Sequence, residues 1–345
     1  YDQRSPALSC SKDELTALAE DVLRLTQADV ERFLGAGALA PPAPLEQSET
    51  VVSGEQWKAY CRALVDEHKD WTELLVLPLK ALSFVPTKLT PAEDTGPLSV
   101  VSTFHETTSM LQRSPITLEA CVRSTKGPLI IVGDAGQGKT AALELLAITY
   151  SRRVVEGVGE EVPILVKLGR YDQQKRDLLS LITMSLRARG MQLERHQVEH
   201  LLGNASAPLL FMLDGLDEVR TSGRLGIKQD IESLLLSYPS HRAIITCRTA
   251  DYDDFGLQLE GKERWELCRL EEQDVLRFLI DYYWTVEGTS HKGRRLFEQL
   301  REQCLLNFAQ IPLHLGLIIG LAQQRETLPK NKGQLYQQFI EMVLR

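Results

Sequence analysis

Short apolar runs alternate with helical stripes through the middle of the chain, and stripes alone fill its two ends. The runs at 129–132, 162–168, 209–213 and 243–246 are rich in Ile, Val and Leu and bounded by polar turns, with a shorter one at 265–267. Near-continuous apolar runs of this length read as strands buried on both faces, as parallel strands are. Helical spacing is expected at 141–147 and 178–189 between them. Strands alternating with helices predict an α/β fold with a parallel sheet flanked by helices.

The N-terminal stripe is Leu15, Leu18, Val22, Leu25 and Phe33, opened by a Ser11/Glu14 capping box. Residues 35–44 are rich in Ala, Gly and Pro and read as a linker. A second helix is expected over 55–77, with Trp57, Tyr60, Leu64, Trp71 and Leu74 on its apolar face. Residues 84–89 read as extended, 91–97 as a loop, and 110–124 as a helix leading into the first buried strand. From Glu271 the pattern is wholly helical, with stripes at 275–282, 296–306, 313–321 and 335–343. The predicted organisation is a helical region over 1–80, a nucleotide-binding domain over 81–268, and a helical domain over 269–345.

Charge narrows the partners. Acidic residues number 47 against 39 basic, a formal charge of −8, which weighs against a dedicated nucleic-acid or anionic-membrane surface. No apolar run approaches membrane-spanning length and no secretory signal opens the chain. Six scattered cysteines, with no C-x-x-C pair, read as reduced thiols of a cytoplasmic protein.

Chemistry concentrates where the predicted strands end. Gly133-Asp134-Ala135-Gly136-Gln137-Gly138-Lys139-Thr140 fits G-x-x-x-x-G-K-[ST], between an apolar strand and a helix that Ala141 continues. Glycines let the backbone wrap a polyphosphate, and the amides at the helix start point into one concavity. In that pattern Lys139 reaches the β- and γ-phosphates and the Thr140 hydroxyl is offered to Mg²⁺. Asp214 ends the 209–213 strand, where a carboxylate holds Mg²⁺ through water. Asp217 and Glu218 follow, either of them suited to orient and deprotonate an attacking water. Arg248 ends the 243–246 strand and could sense the γ-phosphate, or pair with Asp251, Asp253 or Asp254.

Two further patterns occur in the chain. The nearest match to the guanine-reading N-K-x-D loop is Asn331-Lys332-Gly333-Gln334, which lacks the Asp and lies far from any strand end, so ATP is favoured over GTP. His196-Gln197-Val198-Glu199-His200 fits H-x-x-E-H, with both histidines on one helix face. It has no evident third ligand and falls between two strands, so it reads as a coincidental helix face.

Taken together, the phosphate loop, the strand ending in Asp214-Gly215-Leu216-Asp217-Glu218, and Ile244–Arg248 resemble a NACHT domain of the STAND class of P-loop ATPases. Residues 265–283, Ile311-Pro312-Leu313-His314-Leu315 and Leu335-Tyr336-Gln337-Gln338-Phe339 extend the resemblance to about 81–345. It implies that Gly133, Asp134, Ala135, Gly136, Gln137, Gly138, Lys139, Thr140 and Ala141 bind ATP or ADP. It also implies that Thr140 and Asp214 hold Mg²⁺, that Asp217 or Glu218 assists hydrolysis, that Arg248 is the sensor, and that Pro312 packs against adenine. Members of this family are switches that exchange ADP for ATP and open into homo-oligomers, many in innate immune or antiviral defence. The family's winged-helix domain would begin where the chain stops, and effector and sensor domains are expected outside it. The chain therefore reads as the core of a longer protein. A turnover ATPase, such as a remodelling motor or helicase loader, and an inert nucleotide-bound scaffold are the alternatives.

Overall fold

Strand β3 (Leu129–Val132) is buried at all four positions, because helices cover the sheet on both faces. The structure is a computed structural model and describes residues 52–67, 88–91, 116–159, 161–172, 176–324 and 331–343. The predicted first helix, the 35–44 linker, and positions Trp71 and Leu74 lie outside those residues.

In chain order, helix α1 (Gly54–Glu67) is followed by strands β1 (Lys88–Pro91) and β2 (Ile116–Thr117), helix α2 (Leu118–Ser124) and β3. Then come α3 (Lys139–Val155), β4 (Val162–Lys167), α4 (Leu178–Ala188), α5 (Arg195–Asn204), β5 (Leu209–Asp214) and α6 (Arg224–Ser237). The sheet is completed by β6 (Arg242–Cys247), α7 (Thr249–Tyr252) and β7 (Glu263–Leu267). Helices α8 (Glu272–Glu287), α9 (His291–Glu302), α10 (Leu306–Ala309), α11 (Pro312–Gln324) and α12 (Lys332–Val343) end it.

The lateral order is β2-β1-β7-β3-β6-β5-β4. The five strands from β7 to β4 run parallel, in register Val132↔Cys247 at the β3–β6 seam and Lys167↔Asp214 at the β4–β5 seam. Strand β1 joins β7 antiparallel, and β2 joins β1 antiparallel. From β3 the chain leaves toward β4 on one side, and from β6 it leaves toward β7 on the other. The carboxyl ends of β3 and β6 are thus a switch point, where open parallel sheets bind ligands.

Three sequence expectations change. The described part of the 110–124 helix begins as strand: Ile116 pairs with Leu89, and Thr117 caps α2 by accepting from the Ala120 amide at 3.2 Å. Strand β4 ends at Lys167, and 168 turns into a short 3-10 helix, Leu168–Arg170. Helix α6 has no counterpart in the apolar pattern. Leu225 and Leu236 are exposed while Ile227, Ile231 and Leu234 are buried, so apolar side chains on both faces blur the stripe.

Two apolar cores form. One joins the sheet to its helices and includes Trp57, Tyr60, Cys61 and Leu64 of α1, which packs on α3. Residues the sequence grouped with the N-terminal region are thus part of the sheet's core. The second core, from Val275 to Leu335, belongs to α8–α12.

Candidate nucleotide site

The loop after β3 folds on its own side chains. Gly136 and Gly138 have φ of +81° and +89°, left-handed values that L side chains adopt only under strain. The buried Gln137 turns back so that its Oε1 accepts from the Asp134 amide at 2.6 Å. A Cβ at Gly133 would collide with that oxygen. Lys139 closes the ring by donating from Nζ to the carbonyls of Gly133 (2.6 Å) and Asp134 (3.1 Å). Burial pulls the Lys139 ammonium below the usual lysine range, and the Asp217 carboxylate pulls it back up. Helix α3, which carries Thr140 and Ala141 in its first turn, has no side-chain cap, so its first amides face outward.

The ends of β5 and β6 meet beside this loop. Asp214 is buried, and its Oδ1 accepts from the Thr246 hydroxyl at 2.7 Å. The same hydroxyl accepts from the Gly215 amide at 2.8 Å. Thr246 has no exposed surface, and its part in the site was not read from sequence. Asp217 is engaged by Arg248 twice: Oδ1 accepts from the Arg248 amide at 3.0 Å, and Oδ2 pairs with Nε at 2.8 Å. Among the downstream aspartates, Asp254 pairs with Arg224 and Asp253 with Arg264. Cys247 is buried between these groups; burial first, then Asp217 and Asp251, pushes its thiol up to about 12.

Glu218 lies in a slot without side chains of its own. Cβ atoms built on Gly169 and Gly215 would fall 2.5 Å from its Oε2 and 2.9 Å from its Cδ. Burial, then Asp214 and Asp217, raises its carboxyl above the usual range, while Arg248 and Lys167 oppose the rise.

The second core reaches the loop through the start of α11. Pro312 Cβ and Cγ lie 3.8 Å from where a Gly138 Cβ would be, and the Leu313 amide donates to the Gly136 carbonyl at 3.2 Å. Pro312 therefore sits against the glycine loop. His196 and His200 are both exposed on α5, and among the described residues no group of three or more His, Cys, Asp or Glu could hold a metal ion. No helix of the described residues is long and apolar enough to cross a membrane.

Residues 127–284 match the NACHT domain family. The chain carries a NACHT domain. Its bounds take in the glycine loop, Asp214, Asp217, Glu218 and Arg248, and end within α8. No curated protein matches the sequence. Solved structures similar to the chain include Drosophila ORC bound to DNA, at 14% identity, TM-score 0.42, covering 66% of this chain and 58% of that one. The Aeropyrum pernix ORC1 protein in complex with DNA is similar at 13% identity, TM-score 0.39, over 63% and 59%. A STAND protein with a tetratricopeptide repeat sensor from Pyrococcus horikoshii is similar at 15% identity, TM-score 0.35, over 65% and 31%. The chain thus spans less than two thirds of the length of each of these. NACHT domains are P-loop NTPases, and the parallel sheet and glycine loop are in keeping with that class.

Proposed function

We propose that the chain is the ATP/ADP-binding core of a STAND-type signalling switch, with slow Mg²⁺-dependent hydrolysis that controls oligomerisation. The observation that carries this reading is the convergence of Lys139, Asp214, Asp217 and Arg248 at neighbouring strand ends around a glycine loop. The donor set suits a magnesium nucleotide. Gly136 and Gly138 leave backbone without side chains beside the first amides of α3, and an anion fits such a cradle. Asp214 is a buried carboxylate at the end of β5, and Thr140 offers a hydroxyl from the first turn of α3.

On this reading Gly133–Ala141 binds the phosphates, Thr140 and Asp214 hold Mg²⁺, and Pro312 contributes to the adenine side. Bound Mg²⁺ would supply charge neutralisation for the β- and γ-phosphates. Lys139 exchanges its two carbonyl partners for phosphate oxygens, a stronger charge-assisted bond. Asp217 is committed to Arg248, so Glu218 is the carboxylate that accepts a proton from the attacking water, with its raised proton affinity suited to a base. Arg248 is the fixed cation that registers the γ-phosphate. The domain division at 268/269, homo-oligomerisation, effector and sensor domains beyond the chain, and a role in innate immune or antiviral defence follow from the family resemblance, and a cytoplasmic setting from the scattered cysteines. The acidic balance favours a partner other than nucleic acid.

The test is Lys139→Ala, titrated with a fluorescent ATP analogue in Mg²⁺. Affinity is expected to fall by about a hundredfold or more, since a charge-assisted phosphate contact is lost. Wild-type affinity in that variant would refute the site.

A further inference from the structure

Glu144 is a carboxylate in an unexpected place. It stands in the second turn of α3, with its side chain 2% exposed. Burying a carboxylate is costly unless a cation meets it. That cation is Lys167, with Nζ 3.3 Å from Glu144 Oε1. Lys167 ends β4, directly across the ladder from Asp214, and is itself half exposed at the carboxyl edge of the sheet. The chain then turns through Leu168–Arg170, and Gly169 forms one wall of the slot that receives Glu218. Burial raises the Glu218 carboxyl first, Asp214 and Asp217 add to the rise, and Arg248 from the end of β6 and Lys167 from the end of β4 oppose it. Arg248 is engaged with Asp217.

We infer that Lys167 is a positioning residue for Glu218: the buried Glu144 anchors it across the ladder from Asp214, two residues before the Gly169 wall of the Glu218 slot. The inference rests on the nucleotide reading above and deepens it. Glu144 belongs to the helix that begins with Lys139 and Thr140, so the phosphate loop and the water-activating carboxylate are joined through one ion pair. Neither residue is among those proposed to bind the nucleotide. Their effect should fall on turnover and leave ground-state binding alone.

Four variants test this, each followed by MgATP affinity, kcat and thermal unfolding. Lys167→Met is expected to lower kcat by about tenfold, toward the floor set by Glu218→Gln, with affinity within about twofold of wild type. Lys167→Arg should return kcat to within about threefold. Because Lys167→Met leaves Glu144 buried opposite a methyl group, it should also melt early. Glu144→Gln/Lys167→Met should recover that melting temperature without recovering kcat, which separates folding from positioning. Wild-type kcat in Lys167→Met, or recovery of kcat in the double variant, would overturn the inference. A wild-type chain that binds ATP without turning it over would overturn it while leaving the nucleotide site standing. A wild-type chain that binds no ATP would remove both.

Discussion

Thr246→Val replaces one hydroxyl with a methyl group at a position with no exposed surface. The shape is nearly kept, so what changes is hydrogen bonding. Two bonds go: the donation to Asp214 Oδ1 at 2.7 Å and the acceptance from the Gly215 amide at 2.8 Å. A bond to a buried charged group contributes about 1.5–3 kcal/mol, and an amide left buried without a partner costs about 1–3 kcal/mol. The sum is roughly 2.5–6 kcal/mol, a large part of the stability of any domain. For a domain of this size each kcal/mol moves Tm by about 2–4 °C, so a fall on the order of 10 °C is expected. Thr246→Ser keeps the hydroxyl and should stay within a few degrees of wild type. The assay is thermal unfolding without nucleotide, followed by Mg²⁺ titration of ATP binding, which should need more Mg²⁺ because Asp214 has lost its brace. A Thr246→Val protein that melts within about 2 °C of wild type would refute the reasoning, as would a serine variant that melts like the valine one.

Gly136→Ala places a side chain at φ +81° with its Cβ 3.1 Å from Leu313 Cβ, so ATP binding should weaken by about tenfold; wild-type affinity would mean the loop relaxes freely. His241 is held neutral: its Nδ1 accepts from the Leu209 amide at 3.3 Å, its Nε2 lies 3.0 Å from the Leu202 carbonyl, and burial lowers its proton affinity. A histidine depressed in the fold binds protons more readily when unfolded, so stability is full above about pH 6.5 and falls as pH drops through the window below it. Urea unfolding at pH 7.5 and 5.5 should show a smaller fall for His241→Gln, which can keep both bonds, and equal falls would contradict the assignment.

The parts of the site that were legible are local. A glycine spacing, a lysine and a threonine within eight residues match the phosphate-loop pattern without knowledge of anything distant. Asp214 and Arg248 were legible because each follows an apolar run and so falls at a strand end. What was hidden depends on strand order. Thr246 in a strand reads as ordinary β-branched filling until β6 lies beside β5 and its hydroxyl meets Asp214. Glu144 and Lys167 are 23 positions apart, and nothing local marks them as a pair. Glu161 and Arg242, joined by two bonds of 2.7 and 2.6 Å, are further apart still. Helix α1 reads as part of a separate region because its partner, α3, begins some 70 residues later. Lateral order is not written in any one segment, since every βαβ connection presents the same alternation of apolar run and amphipathic stripe.

That order has a chemical consequence. Parallel neighbours lie about 4.8 Å apart. Were β5 beside β3, Asp214 would stand about 5 Å from the glycine loop, room for direct contact between carboxylate and loop and little else. With β6 between them the separation doubles to about 10 Å, the width of a phosphate group with a hydrated Mg²⁺ beside it. The end of the intervening strand then lies between the two: Thr246 braces Asp214, burial pushes the Cys247 thiol up, and Arg248, just beyond the strand, pairs with Asp217. A charged side chain in place of Cys247 would be buried among Asp217, Asp251 and Lys139 and disturb the charges proposed to meet the phosphates. A small, neutral, buried residue at this position is therefore what the proposed nucleotide site requires of β6.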